Sequence, residues 1–320
     1  MHSYLKTRPV WVQLFLLVGL SFGIFMIFSL IGITILTKMT GLSLTEISNT
    51  SNWKTEDSRY IVFVRGMLLV QFLGLFCIPS LLFSYFSDPN PREYIGLKKP
   101  GKLAYYLVAA AILIFALPIV EWLGTINRNI PFPETISNWM KLGEDQANQQ
   151  IQFMLTRKGL PDLLLNLVFI AGFASIGEEL LFRGIIQRLI IKVSKNPMTG
   201  IIITAIVFSA IHFQFYGFFP RFFLGVLLGM IYWYSGSLWT TILAHFIYDA
   251  FWIVMSYFNP ALIMDETSTM FTVNGFVLPL LVSFTVVVAL VWWMQKKSDV
   301  SYDKVYAGED PDKDHPSDSN

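Results

Sequence analysis

Along this chain the apolar residues come in long unbroken runs, and the polar residues collect in the stretches between them. Val10 to Thr37 runs 28 residues without a charge, and Gly66 to Phe86, Leu103 to Val120 and Phe276 to Met294 repeat the pattern. About 20 helical residues, at ~1.5 Å each, cross the ~30 Å hydrocarbon layer, so each run predicts a membrane-spanning helix. Four further apolar segments, 163–187, 199–216, 222–235 and 238–258, are interrupted by ionisable groups. Together they predict an all-α polytopic bundle of about eight transmembrane helices filling residues 1–297. The stretch 163–258 forms the core that carries the chemistry.

Two segments break the pattern. Between 134 and 155, Ile136, Trp139, Met140, Ala147, Ile151 and Met154 recur on one helical face, which predicts a helix lying in the membrane interface. Residues 298–320 are rich in Asp, Ser and Pro with no apolar period, which predicts a disordered acidic tail.

Composition agrees with the runs. Hydrophobic residues make up 54% and charged residues 14%, against about 25% charged in soluble domains. The first run is too long for the apolar region of a removable signal peptide and lacks a small-residue cleavage pattern after it. Cys77 is the only cysteine, so neither a disulfide framework nor a cysteine metal cluster is expected. A net charge of +1 argues against a nucleic-acid partner. The partners expected are the lipid bilayer and a peptide or small membrane protein.

Lysine and arginine concentrate in alternate connections. One set holds Lys6 and Arg8; Arg92, Lys98, Lys99 and Lys102; Arg188, Lys192 and Lys195; and Lys296, Lys297, Lys304 and Lys313. The other holds Lys38, Lys54 and Arg59; Arg128, Lys141, Arg157 and Lys158; and Arg221. Positively charged connections stay on the cytoplasmic side. The expected location is therefore the plasma membrane with both termini cytoplasmic.

The segment SIGEELLFRG, residues 175–184, sets two carboxylates and a guanidinium among apolar neighbours. Ionisable groups inside a span cost from ~2.5 kcal/mol upward and mark function by default. Glu179 and Arg183 are four apart, acid first, and share a face, so they can neutralise each other. Glu178 is rotated by about 100° and needs another partner. Two of the four histidines, His212 and His245, fall within predicted spans. Phe208 precedes His212 by four residues, and Asp249 follows His245 by four, where it can fix the ring tautomer. Arg65 and Glu121 stand near span ends, where snorkelling or pairing accounts for them.

A carboxylate and an imidazole converging on one point can deprotonate water, and a second imidazole can stabilise an oxyanion. Glu178, His212 and His245 are equally a two-histidine, one-carboxylate set for one divalent metal such as zinc, with a position left for water. Both routes lead to amide hydrolysis within the membrane. HExxH is absent, which excludes the common zincin helix.

Glu178-Glu179-x-x-x-Arg183, Phe208-x-x-x-His212 and His245-x-x-x-Asp249, in this order on successive segments, resemble the CAAX prenyl protease and bacteriocin-processing family of intramembrane proteases. The resemblance covers about 163–258 and implies an eight-helix bundle whose site opens to the membrane and the cytoplasmic side. It implies that Glu178 and His212 activate water, that His245 and Asp249 stabilise the oxyanion, and that Glu179 with Arg183 supports the site. The last position is often Asn in the family; here it is Asp249, which as a carboxylate cannot donate to an oxyanion. The expected function is an intramembrane endopeptidase acting on peptide or membrane-associated substrates. A non-catalytic scaffold or immunity protein of the same fold and a proton-coupled transporter are the competing readings. No repeated halves or broken helices support the transporter.

Overall fold

A computed structural model describes residues 4–48, 50, 53–260 and 277–306. Among the described residues every regular element is a helix. Seven helices among the described residues are long and apolar enough to cross a membrane: Val10–Thr40 (α1), Ser58–Ser87 (α2), Ala104–Arg128 (α3), Leu160–Ser194 (α5), Phe215–Ser235, Leu238–Phe258 (α8) and Val277–Lys297 (α9). Helix α4, Glu134–Leu155, connects α3 to α5. The regular α-helical part of Phe215–Ser235 is Phe218–Ser235 (α7).

The eighth expected segment, 199–216, is the shorter helix Pro197–Ala210 (α6). Its 14 residues reach about 21 Å, short of a full crossing. The chain unwinds after Ala210, Phe213 adopts a left-handed conformation (φ 53°), and a single 3₁₀ turn, Phe215–Gly217, leads into α7. His212 therefore lies in a turn beyond α6, where the apolar run had suggested continuous helix.

Packing sorts the helices into centre and periphery. Half of the apolar window of α3 and 44% of that of α8 is buried, against 11% for α1 and 17% for α9. The outer pair consequently offers its side chains to lipid. One core joins α3, α7, α8 and α9 through Ile112, Leu113, Leu228, Ile231, Tyr248 and Val287. A second joins α2, α5, α6 and α8 through Phe83, Leu180, Phe182, Ile185, Phe208 and Leu238. Lipid tails are as apolar as leucine, so close approach rather than hydrophobicity selects which helices touch. Gly225 of α7 shows this: a β-carbon there would stand 3.0 Å from that of Ala205 in α6.

Helix α4 differs in detail from its expected face. Met140 and Met154 are buried, together with Phe153, while Ile136, Trp139 and Ile151 remain exposed. Its contacts run to the His212 turn: Trp139 packs on Phe215 with ring centroids 5.3 Å apart, and the Ser137 and Tyr216 hydroxyls are 2.9 Å apart. The helix thus lies across the end of the bundle beside that turn.

The segment from 298 to 306, expected to begin a disordered tail, is instead docked. Ser301 caps the short helix Tyr302–Val305 (α10), and the rings of Tyr302 and Tyr306 pack at a tilt with centroids 4.7 Å apart. The Tyr306 hydroxyl donates to the Arg188 carbonyl at 2.7 Å, and the Arg188 guanidinium lies over both Tyr306 and Tyr94. Two aromatics four residues apart carry this docking, a signal that the acidic composition masks. Residues 307–320 lie outside the described residues.

Candidate active site

Among the described residues, three π-helical turns interrupt the spans, at Phe72–Cys77 in α2 and at Leu167–Gly172 and Phe182–Gln187 in α5. The last two bracket the α-helical turn Phe173–Leu181 that carries Glu178 and Glu179. Such turns frequently sit at functional sites because each shifts the facing of the residues beyond it.

The two glutamates divide as their rotation demands. Glu179 and Arg183 have side chains with 0% exposure and pair at 2.8 Å. Arg183 donates a second bond to the Gly225 carbonyl at 3.2 Å, and its guanidinium lies 4.6 Å from the centre of the Phe208 ring. Glu179 also meets the third partner, accepting from His245 Nδ1 at 3.0 Å. Glu178, 15% exposed, points away from this network toward a chamber and stands 3.9 Å from His212 Nε2.

The orientation of His212 is settled by its own helix end. Nδ1 lies 2.7 Å from the Phe208 carbonyl, which can only accept, so Nδ1 carries the proton and Nε2 presents a lone pair to Glu178. The Phe208 ring packs edge-on against the imidazole at 5.1 Å. Phe208 therefore positions His212 with its carbonyl and its ring, and cushions Arg183 on the other side.

The turn holding His212 is pinned by residues that sequence reasoning passed over. Asn127, buried at the end of α3, donates to the Phe215 carbonyl at 2.8 Å and accepts from the Phe219 amide at 2.7 Å. Ser209 donates to the Phe218 carbonyl at 2.7 Å. Arg221 donates to the carbonyl and the side-chain oxygen of Gln214, both at 2.7 Å. An asparagine near the end of an apolar run is the one signal that could have pointed to the first of these. Replacing Asn127 by Leu should loosen the turn. About 1–3 kcal/mol of stability should be lost, because two buried backbone groups lose their partners. Thermal unfolding in detergent measures the loss, and an unchanged melting temperature would count against the bracing role.

His245 faces a carboxylate from each ring nitrogen, Glu179 at Nδ1 and Asp249 at Nε2, the latter 3.4 Å away. Glu178, His212, His245, Asp249, Arg221 and Tyr248 line one cavity of about 330 Å³. Glu179 does not line it and acts from behind. The sequence counted Arg221 only as a connection charge, and the fold turns it into this wall. A wider cavity of about 630 Å³ continues from His212 and Asp249 to Glu121, Arg128, Glu144 and Gln152. A third, of about 190 Å³, runs from Glu178 between α2 and α5 and is mostly apolar, with Leu68, Phe72, Phe76 and Phe173 in its walls. Arg65, by contrast, pairs with Asp162 and Asn166, both at 3.0 Å, away from these cavities.

Glu178, His212 and His245, the metal set expected as an alternative, line the same cavity but are not arranged as donors to one ion. Both nitrogens of His245 are directed at Glu179 and Asp249 rather than at Glu178 and His212. Among the described residues no three His, Cys, Asp or Glu side chains are grouped as metal donors.

The fold and site define a polytopic helical membrane protein with a carboxylate–imidazole pair lining a chamber among its helices. The chain belongs to the Rce1-like family, whose model, described as type II CAAX prenyl endopeptidase Rce1-like, matches residues 160–251 and so spans Glu178, Glu179, Arg183, Phe208, His212, His245 and Asp249. It is 30% identical over 188 residues to the uncharacterized protein YpbD of Bacillus subtilis (strain 168), covering 57% of this chain and 84% of that one. No solved structure matches.

Proposed function

We propose that the protein is an intramembrane endopeptidase that hydrolyses peptide bonds of peptide or membrane-protein substrates with a water activated by Glu178 and His212. The observation that carries this reading is the 3.9 Å separation between Glu178 Oε1 and His212 Nε2, two acceptors facing each other in a chamber. A water about 2.8 Å from both would subtend an angle of roughly 90° between them, close to its own bond angle. Both protons of that water are then held, and a lone pair points into the chamber toward a carbonyl carbon.

In the first step the water oxygen bonds to the carbonyl carbon and one proton passes to Glu178. The C–O π pair moves onto oxygen. His245, with protons on both ring nitrogens, keeps Nδ1–H on Glu179 and turns its Nε2–H from Asp249, 3.4 Å away, to that oxyanion. Asp249 then orients the ring and is not required to donate, which accommodates aspartate at a position where the family often has asparagine. In the second step the C–N bond breaks and Glu178 returns its proton to the leaving amine. No step is routed through a metal, because the donor set does not fit one.

Comparing peptide termini in membrane and secreted fractions of cells expressing wild type or His212→Gln tests the reading. New termini confined to wild type, produced equally in purified protein after chelator treatment, are expected. Identical termini in the two strains would favour the scaffold, and loss of cleavage on chelation would favour the metal route.

A further inference from the structure

The expectation that the chain ends are cytoplasmic and the expectation that the site opens to the cytoplasm cannot both hold in this fold. Residues near the two ends gather at one end of the bundle. The Leu5 amide donates to the Phe86 carbonyl, and Lys6 pairs with Asp88 at 3.1 Å. Tyr306 is bonded to Arg188, and Lys102 donates to the Lys297 carbonyl. The Leu238 amide and the Ser237 hydroxyl close on the Gly96 and Lys98 carbonyls. Among the described residues, every connection in the basic set named from the sequence is therefore at this end.

The catalytic chamber leaves Glu178 in the other direction. Along α5 its walls use Ile170 and Ala174, on the side of Glu178 away from Lys192 and Lys195. Its far walls are Arg128 at the end of α3, Glu144 and Asn148 of α4, and Gln214 and Tyr216 of the His212 turn. The apolar cleft between α2 and α5 ends under the same α4, at Gln150 and Met154.

Charge decides which end is which. Among the described residues, the end that holds residues 4–8 and 298–306 carries twelve lysines and arginines, and the chamber end carries nine, Arg65 included. The acids run the other way. Among the described residues, Asp88, Glu93, Asp299 and Asp303 stand at the first end, whereas Glu46, Glu56, Asp57, Glu134, Glu144, Asp145 and Asp162 stand at the second. Lysine and arginine in short connections hold a membrane protein with those connections in the cytoplasm.

We infer that the chamber opens on the non-cytoplasmic face, so that its substrates are membrane-anchored segments attacked where they leave the bilayer on that face. The two cavities suit such a chain. Its apolar part lies in the phenylalanine-walled cleft between α2 and α5, and its polar flank enters the wider cavity under α4. The substrate class rests on the protease reading; the orientation does not.

Single cysteines read the orientation directly. In a Cys77→Ser background, Lys141→Cys marks the chamber end and Lys99→Cys the opposite end; both positions are exposed. A membrane-impermeant maleimide applied to intact cells should label Lys141→Cys, and Lys99→Cys should be labelled only after permeabilisation. The reverse pattern, or protection of both in intact cells, overturns the inference. Should either variant fail to accumulate, Lys38→Cys and Lys195→Cys carry the same test at the same two ends. Labelling requires no hydrolysis, so an inactive protein that labels as expected removes the protease reading and leaves the orientation standing. If the protein is active, termini dependent on His212 should map to the non-cytoplasmic flanks of substrate spans. A set mapping to cytoplasmic flanks would overturn the substrate class.

Discussion

Glu178→Gln should lower peptide-bond hydrolysis by roughly 10²- to 10⁴-fold, the usual contribution of a positioned general base. The substitution keeps the shape of the side chain and removes its capacity to take a proton. Glu178 pairs with no buried cation; Glu179 takes that role with Arg183 and His245. Thermal stability should accordingly stay near that of wild type. Single-turnover hydrolysis by purified protein, with a melting curve on the same preparation, checks both halves. Activity within a factor of a few of wild type would remove Glu178 from the water-activating role. A large drop in melting temperature would show that the division between the two glutamates has been drawn wrongly.

Arg183→Ala should be the most destabilising single change in the site, at about 3–5 kcal/mol, because it strands the Glu179 carboxylate in an interior with no exposure. Glu179→Ala strands Arg183 in the same way. The double replacement Glu179→Leu with Arg183→Leu should recover much of the loss, since an apolar pair removes both buried charges at once. Activity should not recover with it, because His245 loses the acceptor at Nδ1 that fixes its ring. Chemical or thermal unfolding of the three variants gives the stabilities, and hydrolysis assays give the contrast. If the double variant is as active as wild type, Glu179 does not position His245.

Much of the site was legible in the residues themselves. The spacing of Glu179 and Arg183 predicted their pairing, and the rotation of Glu178 predicted that it would face elsewhere; both relations hold at atomic distance. That Phe208 and His212 belong together also followed from their four-residue spacing. The manner did not, because it runs through the Phe208 carbonyl, which no side-chain pattern reports. Asp249 was expected to address His245 and does so, but the stronger contact of that ring is to Glu179, 66 residues away. The length of the helix carrying Phe208 was read too long because hydropathy is blind to where a chain unwinds. Val207, Ile211, Phe213 and Phe215 are as apolar as a continuing helix would require, yet Asn127 and Arg221 hold the backbone in a turn there.

The sequence by itself determined the solvent in which this protein lives, the number of apolar segments, the pairing of neighbours four residues apart and the uneven distribution of its cations. Those properties are local, since they follow from residue chemistry and helical rise. The tertiary structure alone decided that His245 meets Glu179, that Arg221 and Asn127 serve the site, and toward which end of the bundle the chamber opens. These depend on helices brought together across the fold, where π turns reset the facing of side chains and close approach at residues such as Gly225 selects the neighbours. Local periodicity carries no information about either.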